Sequence, residues 1–353
     1  MSRAPRRIGL KDLAAELHLS VTTVSRALAG YPDVGSETRG RVRSLAARRG
    51  YVPSRVGRAM VSGDTGLIGV VLPPAESRLS SKSTFADVFL GPLMAGLCQR
   101  LQEAGRQLVI TTQRTRHVAA LVRTIDRCQA DGLIVADRTF VHDDRVAHLT
   151  ERNVPFVVHG RVMGDPSSYA WSDTDGASAF GDATRRLIAL GHRHFGLLTF
   201  EPSLMFARVR RDGLLAGLRA HGLRLRADAA CTVTRSDDKS VERACATLLN
   251  LTPRPTAVLC VTDALAIKLV QMAAERSIAV PGELSVIGFD NVPASAYARP
   301  GISTFDQHIR QSACDIADLM ICQLSDPTTS SGSRMIRPAF VPRRSHGPAP
   351  IAA

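Results

Sequence analysis

The chain has 353 residues, 44% of them hydrophobic and 22% charged, a balance that excludes wholesale disorder and leaves room for two or three domains. The net charge is +13, yet residues 1–63 alone hold twelve Lys and Arg against four Asp and Glu, a net of +8. So lopsided a distribution points to a polyanionic partner for that end. Seven cysteines, odd in number and with no C-x-x-C pair, argue against a disulfide framework or a zinc site and for a reducing cytoplasm. The basic N-terminus lacks an apolar secretion core, and no run reaches the roughly 18 apolar residues of a spanning helix. Export and membrane insertion are both disfavoured.

In chain order, Leu10, Leu13, Ala14 and Leu17 recur at the spacing of one helix face. After His18-Leu19-Ser20 a second helix is expected over Val21 to Ala29, with Ser20 as its N-cap and with Thr22, Thr23, Ser25 and Arg26 facing out. Gly30-Tyr31-Pro32-Asp33 interrupts again, and a basic third helix is expected from Glu37 to Arg49. Three short helices joined this way make a helix-turn-helix unit, whose second helix presents side chains to the major groove while neighbouring cations meet phosphates. Residues 1–53 are assigned to it. Residues 54–64 are read as a short hinge helix and linker, ending in Ser62-Gly63-Asp64.

From Leu67 the texture changes. Apolar runs that read as buried strands (Leu67 to Leu72, Gln107 to Thr111, Gly132 to Ala136, Pro155 to Val158, Phe195 to Thr199, Ala257 to Val261 and Leu284 to Phe289) alternate with amphipathic stretches. The expected helices are Phe89 to Glu103, Val118 to Gln129, Ala177 to Leu190, Val209 to His221, Ser240 to Leu249, Ala264 to Glu275 and Arg310 to Gln323. This alternation implies α/β architecture with doubly wound parallel sheets and ligands near the carboxyl ends of strands. Residues 65–345 exceed one ordinary sheet, so two lobes are expected. The Pro- and Arg-rich tail, 346–353 in particular, is expected to fray.

The strings Lys11-Asp12-Leu13-Ala14, Ser20-Val21-Thr22-Thr23-Val24-Ser25-Arg26-Ala27-Leu28, Glu37-Thr38-Arg39-Gly40-Arg41-Val42 and Gly50-Tyr51-Val52-Pro53 closely resemble the N-terminal signature of the lactose-repressor (LacI/GalR) family of bacterial transcription regulators. Downstream, Arg210-Arg211-Asp212-Gly213, Val261-Thr262-Asp263 and Ser285-Val286-Ile287-Gly288-Phe289-Asp290-Asn291 are similar to the family's later motifs. The resemblance implies a helix-turn-helix domain and hinge helix followed by a two-lobed periplasmic-binding-protein type I core. It also implies a homodimer on a pseudo-palindromic double-stranded operator.

Carried over by position, the family's base readers are Val21, Thr22 and Arg26, and its minor-groove wedge is Met60, with Arg55 in the same hinge stretch also placed among the DNA contacts. Arg can chelate a guanine edge and Thr can meet a thymine methyl. Packing of Val21 against Val24, and a phosphate contact by Arg26, stay open. Three positions depart from the family pattern: Gly9 where Ser or Thr is usual, His18 at the turn glycine, and Gly57 in the hinge helix.

For the effector, the resemblance implies Arg210 and Asp290, expected on opposite sides of the cleft. Asp263, Arg161 and Gln307 are further candidates. Asp263 has the N-cap of its helix as an equal alternative, and Arg161 has a structural ion pair. Gly160 stands where the family has an acid. Catalytic readings find little: Gly176 to Gly181 is one residue too long for a G-x-S-x-G elbow around Ser178, and His192 with His194, read as alternating on a strand, lack a third metal ligand. No cofactor motif is found. The expected function is a ligand-responsive transcriptional regulator, most simply a repressor of a carbohydrate operon. The alternatives are a purine- or other non-sugar-responsive regulator and a solute-binding protein.

Overall fold

The structure is a computed structural model that describes residues 8–51, 64–72, 84–112, 130–136, 140–164, 167–234, 237–326 and 332–351. It divides into two compact units, Met1–Thr65 and Gly66–Ala353. The expected helix Val118 to Gln129, the hinge stretch, Arg55 and Met60 lie outside the described residues.

In the first unit α1 (Leu10–Leu17), α2 (Val21–Ala29) and α3 (Ser36–Arg48) close around Leu13, Ala14, Val24, Ala27, Val34, Val42, Leu45 and Ala46. Leu13, Val24 and Val42 are fully enclosed, each contributing about 1.5–3 kcal/mol. The caps follow from the sequence. Ser20 Oγ accepts from Thr23 N at 3.0 Å, and Gly30 turns left-handed at φ 79°. Gly9 offers no side chain, but Asp12 reaches back and accepts from Gly9 N at 2.8 Å. His18 takes the family's turn-glycine position at φ 53°, a conformation His tolerates better than a β-branched residue does.

The second unit holds two all-parallel sheets. In its first lobe β1 (Leu67–Leu72), β2 (Gln107–Thr112), β3 (Gly132–Val135), β4 (Phe156–His159), β5 (Ala170–Thr174) and β11 (Ser333–Ile336) lie in the order β2-β1-β3-β4-β5-β11. Alternation along the strands divides the core. Ile68, Val70, Ile134 and Val157 face α4 (Thr84–Glu103) and α11 (Ile309–Ser325), while Leu133, Val135, Phe156 and Val158 face α5 (Asp144–Glu151).

In the second lobe β6 (Phe195–Phe200), β7 (Ala230–Val233), β8 (Ala257–Cys260) and β9 (Ser285–Ile287) lie in the order β7-β6-β8-β9. They are accompanied by α6 (Gly176–Ala189), α7 (Met205–Arg219), α8 (Asp238–Asn250), α9 (Asp263–Glu275) and the short α10 (Pro293–Tyr297). Helices α6 and α7 approach closely because Gly213 carries no side chain: a Cβ there would sit 2.3 Å from the Ala177 carbonyl oxygen. The chain crosses between lobes at Thr174–Gly176, after β10 (Thr304–Asp306), and between β11 and β12 (Ala339–Val341), with β10 and β12 paired antiparallel.

Several expectations change. The sequence pattern missed α5, β5, β7, α10, β11 and β12, all short and several half-exposed, while the strand it reads at Ser303-Thr304-Phe305 is β10 to within one residue. Residues 343–349 are not frayed. Arg343 Nη1 donates to Ile302 O at 2.8 Å, Val286 N to Ser345 O at 2.7 Å, Gly347 N to Ser285 Oγ at 3.0 Å and Ala349 N to Leu190 O at 2.8 Å. Backbone and side-chain hydrogen bonds together hold this segment without any apolar core of its own. His192 precedes β6 instead of lying on a strand, and it is enclosed between Thr256 Oγ1 and Gly347 O.

Candidate functional site

The first candidate face is the outer side of α2. Val21 is 41% exposed, so it does not pack against Val24, and Thr22 and Arg26 are exposed beside it. All three stand on one helix with apolar, hydroxyl and guanidinium chemistry facing outward, a set suited to base edges. Arg26 is not loose: its Nη2 lies 2.6 Å from Asp33 Oδ2, and its guanidinium sits 5.0 Å from the centre of the Tyr31 ring.

The second candidate site lies at the carboxyl ends of the second sheet, where strand order reverses between β6 and β8. Crevices at such reversals are the ligand sites of open parallel sheets. Arg210, on α7, enters this point and is almost wholly enclosed. It donates to Val261 O beyond β8, faces Phe289 at 3.6 Å from the ring centre, and lies 3.8 Å from Asp290 Oδ1. Burial pushes its pKa down to about 10, against the opposing fields of Asp290, Asp173 and Asp263. Gly176, at the first lobe crossing, leaves room for the Arg210 stem, since a Cβ there would be 2.9 Å from Arg210 Cγ.

Gln307, at the second crossing, donates Nε2–H to Asp290 Oδ1. Arg210, Asp290 and Gln307 are therefore one cluster, and Arg210 and Asp290 touch instead of facing each other across a cleft. Asp290 follows β9 with φ 122° and Asn291 with φ 52°, so the backbone turns sharply to aim the carboxylate.

Two candidates are already engaged by partners within the protein. Arg161 Nε donates to Asp173 Oδ2 at 2.9 Å and its guanidinium lies 5.2 Å from the Trp171 ring centre, the structural pairing left open above. Asp263 has no exposed surface; its oxygens accept from Thr304 Oγ1 and from Val292 N at 3.0 Å. It is the first residue inside α9, with Thr262 at the N-cap position, so it neither caps the helix nor opens to a ligand. Burial pushes its carboxyl pKa upward, opposed by the hydrogen bond from Thr304.

Sequence reasoning passed over two residues. Asp173, on β5, carries the first lobe's negative field to Arg210 and partners Arg161. Thr262 Oγ1, next to the Val261 carbonyl, is buried without a hydrogen-bond partner among the described residues, and such a group has a reason to exist where a ligand supplies the partner. The described residues contain no group of three or more His, Cys, Asp or Glu able to hold a metal. None of their helices is long and apolar enough to cross a membrane.

Comparison with known proteins accounts for both halves. The family of bacterial regulatory proteins, lacI family, matches residues 9–54, and the periplasmic binding protein-like domain matches residues 184–346. The chain is 33% identical over 352 residues to the HTH-type transcriptional regulator AglR of Rhizobium meliloti (strain 1021), covering 97% of this chain and 95% of that protein. Its fold is similar to that of a Lac repressor dimer bound to operator and an anti-inducer, with 23% identity and a TM-score of 0.80 over 96% of this chain and 99% of that one. It is also similar to a complex of the transcriptional regulator CelR with cellobiose, with 24% identity and a TM-score of 0.72 over 96% and 100%. The chain belongs to the lacI family of bacterial regulatory proteins and is a helix-turn-helix transcriptional regulator with a periplasmic-binding-protein-like effector unit.

Proposed function

We propose that this regulator is a cytoplasmic homodimer that binds a pseudo-palindromic operator through Val21, Thr22 and Arg26, with Arg55 and Met60 on a hinge helix within residues 54–64. A sugar bound at Arg210, Asp290, Gln307 and Thr262 sets its DNA affinity, and Asp173 with Arg161 forms the first-lobe side. The protein's work is regulation and not catalysis.

The observation that carries this reading is the Arg210, Asp290 and Gln307 cluster at the reversal of strand order. Vicinal hydroxyls need a charged donor, a charged acceptor and an amide within one small space, and the partly buried Phe206 ring beside Arg210 offers an apolar face for a sugar ring. The similar CelR fold, solved with cellobiose, supports the same chemical class.

A thermal-shift screen against cellobiose, other disaccharides, monosaccharides and nucleosides tests it. A saturating ligand at one hundred times its Kd stabilises by about 2.7 kcal/mol, so a sugar that raises the melting temperature of wild type but not of Arg210→Met is the expected result. A response to nucleosides alone would replace the sugar assignment.

A further inference from the structure

We propose that Asp33 and Tyr31 are positioning residues for Arg26, so that preference at one base pair is set by a loop outside the recognition helix. The inference rests on Arg26 reading a base.

Gly30, left-handed at φ 79°, reverses the chain, and Tyr31 N closes back onto Arg26 O at 3.1 Å. The returning loop is fixed by groups other than the Arg26 side chain. Arg39 Nη1 donates to Tyr31 O at 3.1 Å and to Val34 O at 2.6 Å, and Val34 is buried in the core of the unit. Asp33 and Tyr31 therefore stand on a clamped platform, and Arg26 comes to rest on it with an ion pair on one nitrogen and a ring against its flat face.

An unrestrained Arg loses rotamer freedom when it docks, and its guanine contact needs two N–H groups held in one plane. A partner that holds Nη2 while a ring restrains the guanidinium plane reduces both costs.

The charge balance gives this assignment a distinctive signature. Among the acids of residues 8–51, Asp12 accepts from Gly9 N, Glu16 pairs with Arg49, and Glu37 lies in the first turn of α3. Asp33 is the acid paired with a base-reading candidate, and a carboxylate near phosphates weakens sequence-independent binding. An exposed ion pair contributes little to folding, so its removal leaves the unit intact. Loss of Asp33 thus acts in opposite directions on affinity for arbitrary DNA and on discrimination.

The test uses the full chain as wild type, Asp33→Asn, Asp33→Glu, Tyr31→Leu and Arg26→Ala. Each binds duplexes carrying all four base pairs at every position of a selected half-site, and a random-sequence duplex over a salt series. Arg26→Ala identifies the base pair that Arg26 reads. At that pair Asp33→Asn is expected to lose about fivefold or more in preference, with other positions unchanged and random duplex bound at least as tightly as by wild type. Asp33→Glu should recover part of the preference and Tyr31→Leu should lose part.

If Asp33→Asn tightens binding to every duplex equally, or weakens all equally, Asp33 does not act through Arg26 and the proposal is overturned. If Arg26→Ala itself weakens all duplexes equally, Arg26 is a phosphate contact and the base-reading assignment falls first, taking this one with it.

Discussion

Replacing Asp290 by Asn removes one charge and almost no volume, which isolates the carboxylate's part in effector binding. At 3.8 Å from Arg210 Nη1 and an effective dielectric constant of about 20, the Coulomb attraction lost is about 4 kcal/mol. Part of this returns, because the carboxylate is no longer held out of water, and the group is still about one-fifth exposed; the net destabilisation should be about 1–2 kcal/mol. In a unit of this size that lowers the melting temperature by about 2–8 °C. The backbone has no cause to shift, since Asn accepts positive φ readily and its Oδ1 can still accept from Gln307 Nε2. Sugar affinity should fall by much more in relative terms, about ten- to a hundredfold, the worth of a charge-assisted hydrogen bond of about 1.5–3 kcal/mol. Operator binding without sugar should match wild type. Calorimetric titration with the sugar that most stabilises wild type, followed by operator retardation across a sugar series, reads both numbers. A variant that melts lower but keeps wild-type sugar affinity would show that Asp290 serves only as the counter-ion of Arg210, and the effector site would have to lie elsewhere.

Residues 66–353 expressed alone should stay folded and keep the sugar-induced thermal shift while losing operator retardation, because they form a compact unit with its own cores. Gly213→Ala should destabilise by about 1–3 kcal/mol or more, as overpacking against rigid backbone does, and chemical denaturation compared with Gly217→Ala, whose Cβ would meet only the Thr184 side chain within 3.1 Å, separates backbone from side-chain obstruction. His192, whose Nε2–H donates to the Gly347 carbonyl, is held below its ordinary 6.5 by burial, as are His159 and His346. As pH falls below 6.5 the unfolded chain binds protons that the folded one refuses, so the stability these groups contribute is full above that value and is lost below it. Melting curves of wild type should drop across this range, and those of His192→Gln should drop less.

Much of this architecture is legible from local pattern. The three N-terminal helices carry a 3.6-residue period, and a cap residue sits where the hydroxyl is needed. The strands Leu67–Leu72 and Ala257–Cys260 are unbroken apolar runs, as strands covered on both faces must be. What resisted reading was set by partners distant in sequence. Asp263 looks like any acid at a helix start, and only its hydrogen bonds to Thr304 and Val292, contributed by other elements, show that it is consumed. β5, Ala-Trp-Ser-Asp-Thr, is polar over its last three residues, yet it is largely buried between β4 and β11, the latter well over a hundred residues further along the chain. Arg210 and Asp290 were found by motif, but their contact with each other depends on how α7 enters the end of the second sheet. Thr262 stands inside the Val261-Thr262-Asp263 motif, but its own part could not be read there, since an orphaned hydroxyl is visible only once its surroundings exclude water.

The segment Arg343–Ala349 has a consequence for how the protein is made. Strand β9 is the last in its sheet, and its outer margin is hydrogen-bonded by residues synthesised after everything they cover: Ser345 O takes Val286 N, and Ser345 Oγ joins Ser303 N to Val286 O. Until those residues emerge from the ribosome, the Val286 N–H and C=O stand open for another nascent chain to pair with. Early termination between residues 337 and 342, after β11 is complete, would therefore yield a protein with both sheets present and one sticky margin. Such a product still carries the helix-turn-helix unit, which is compact on its own.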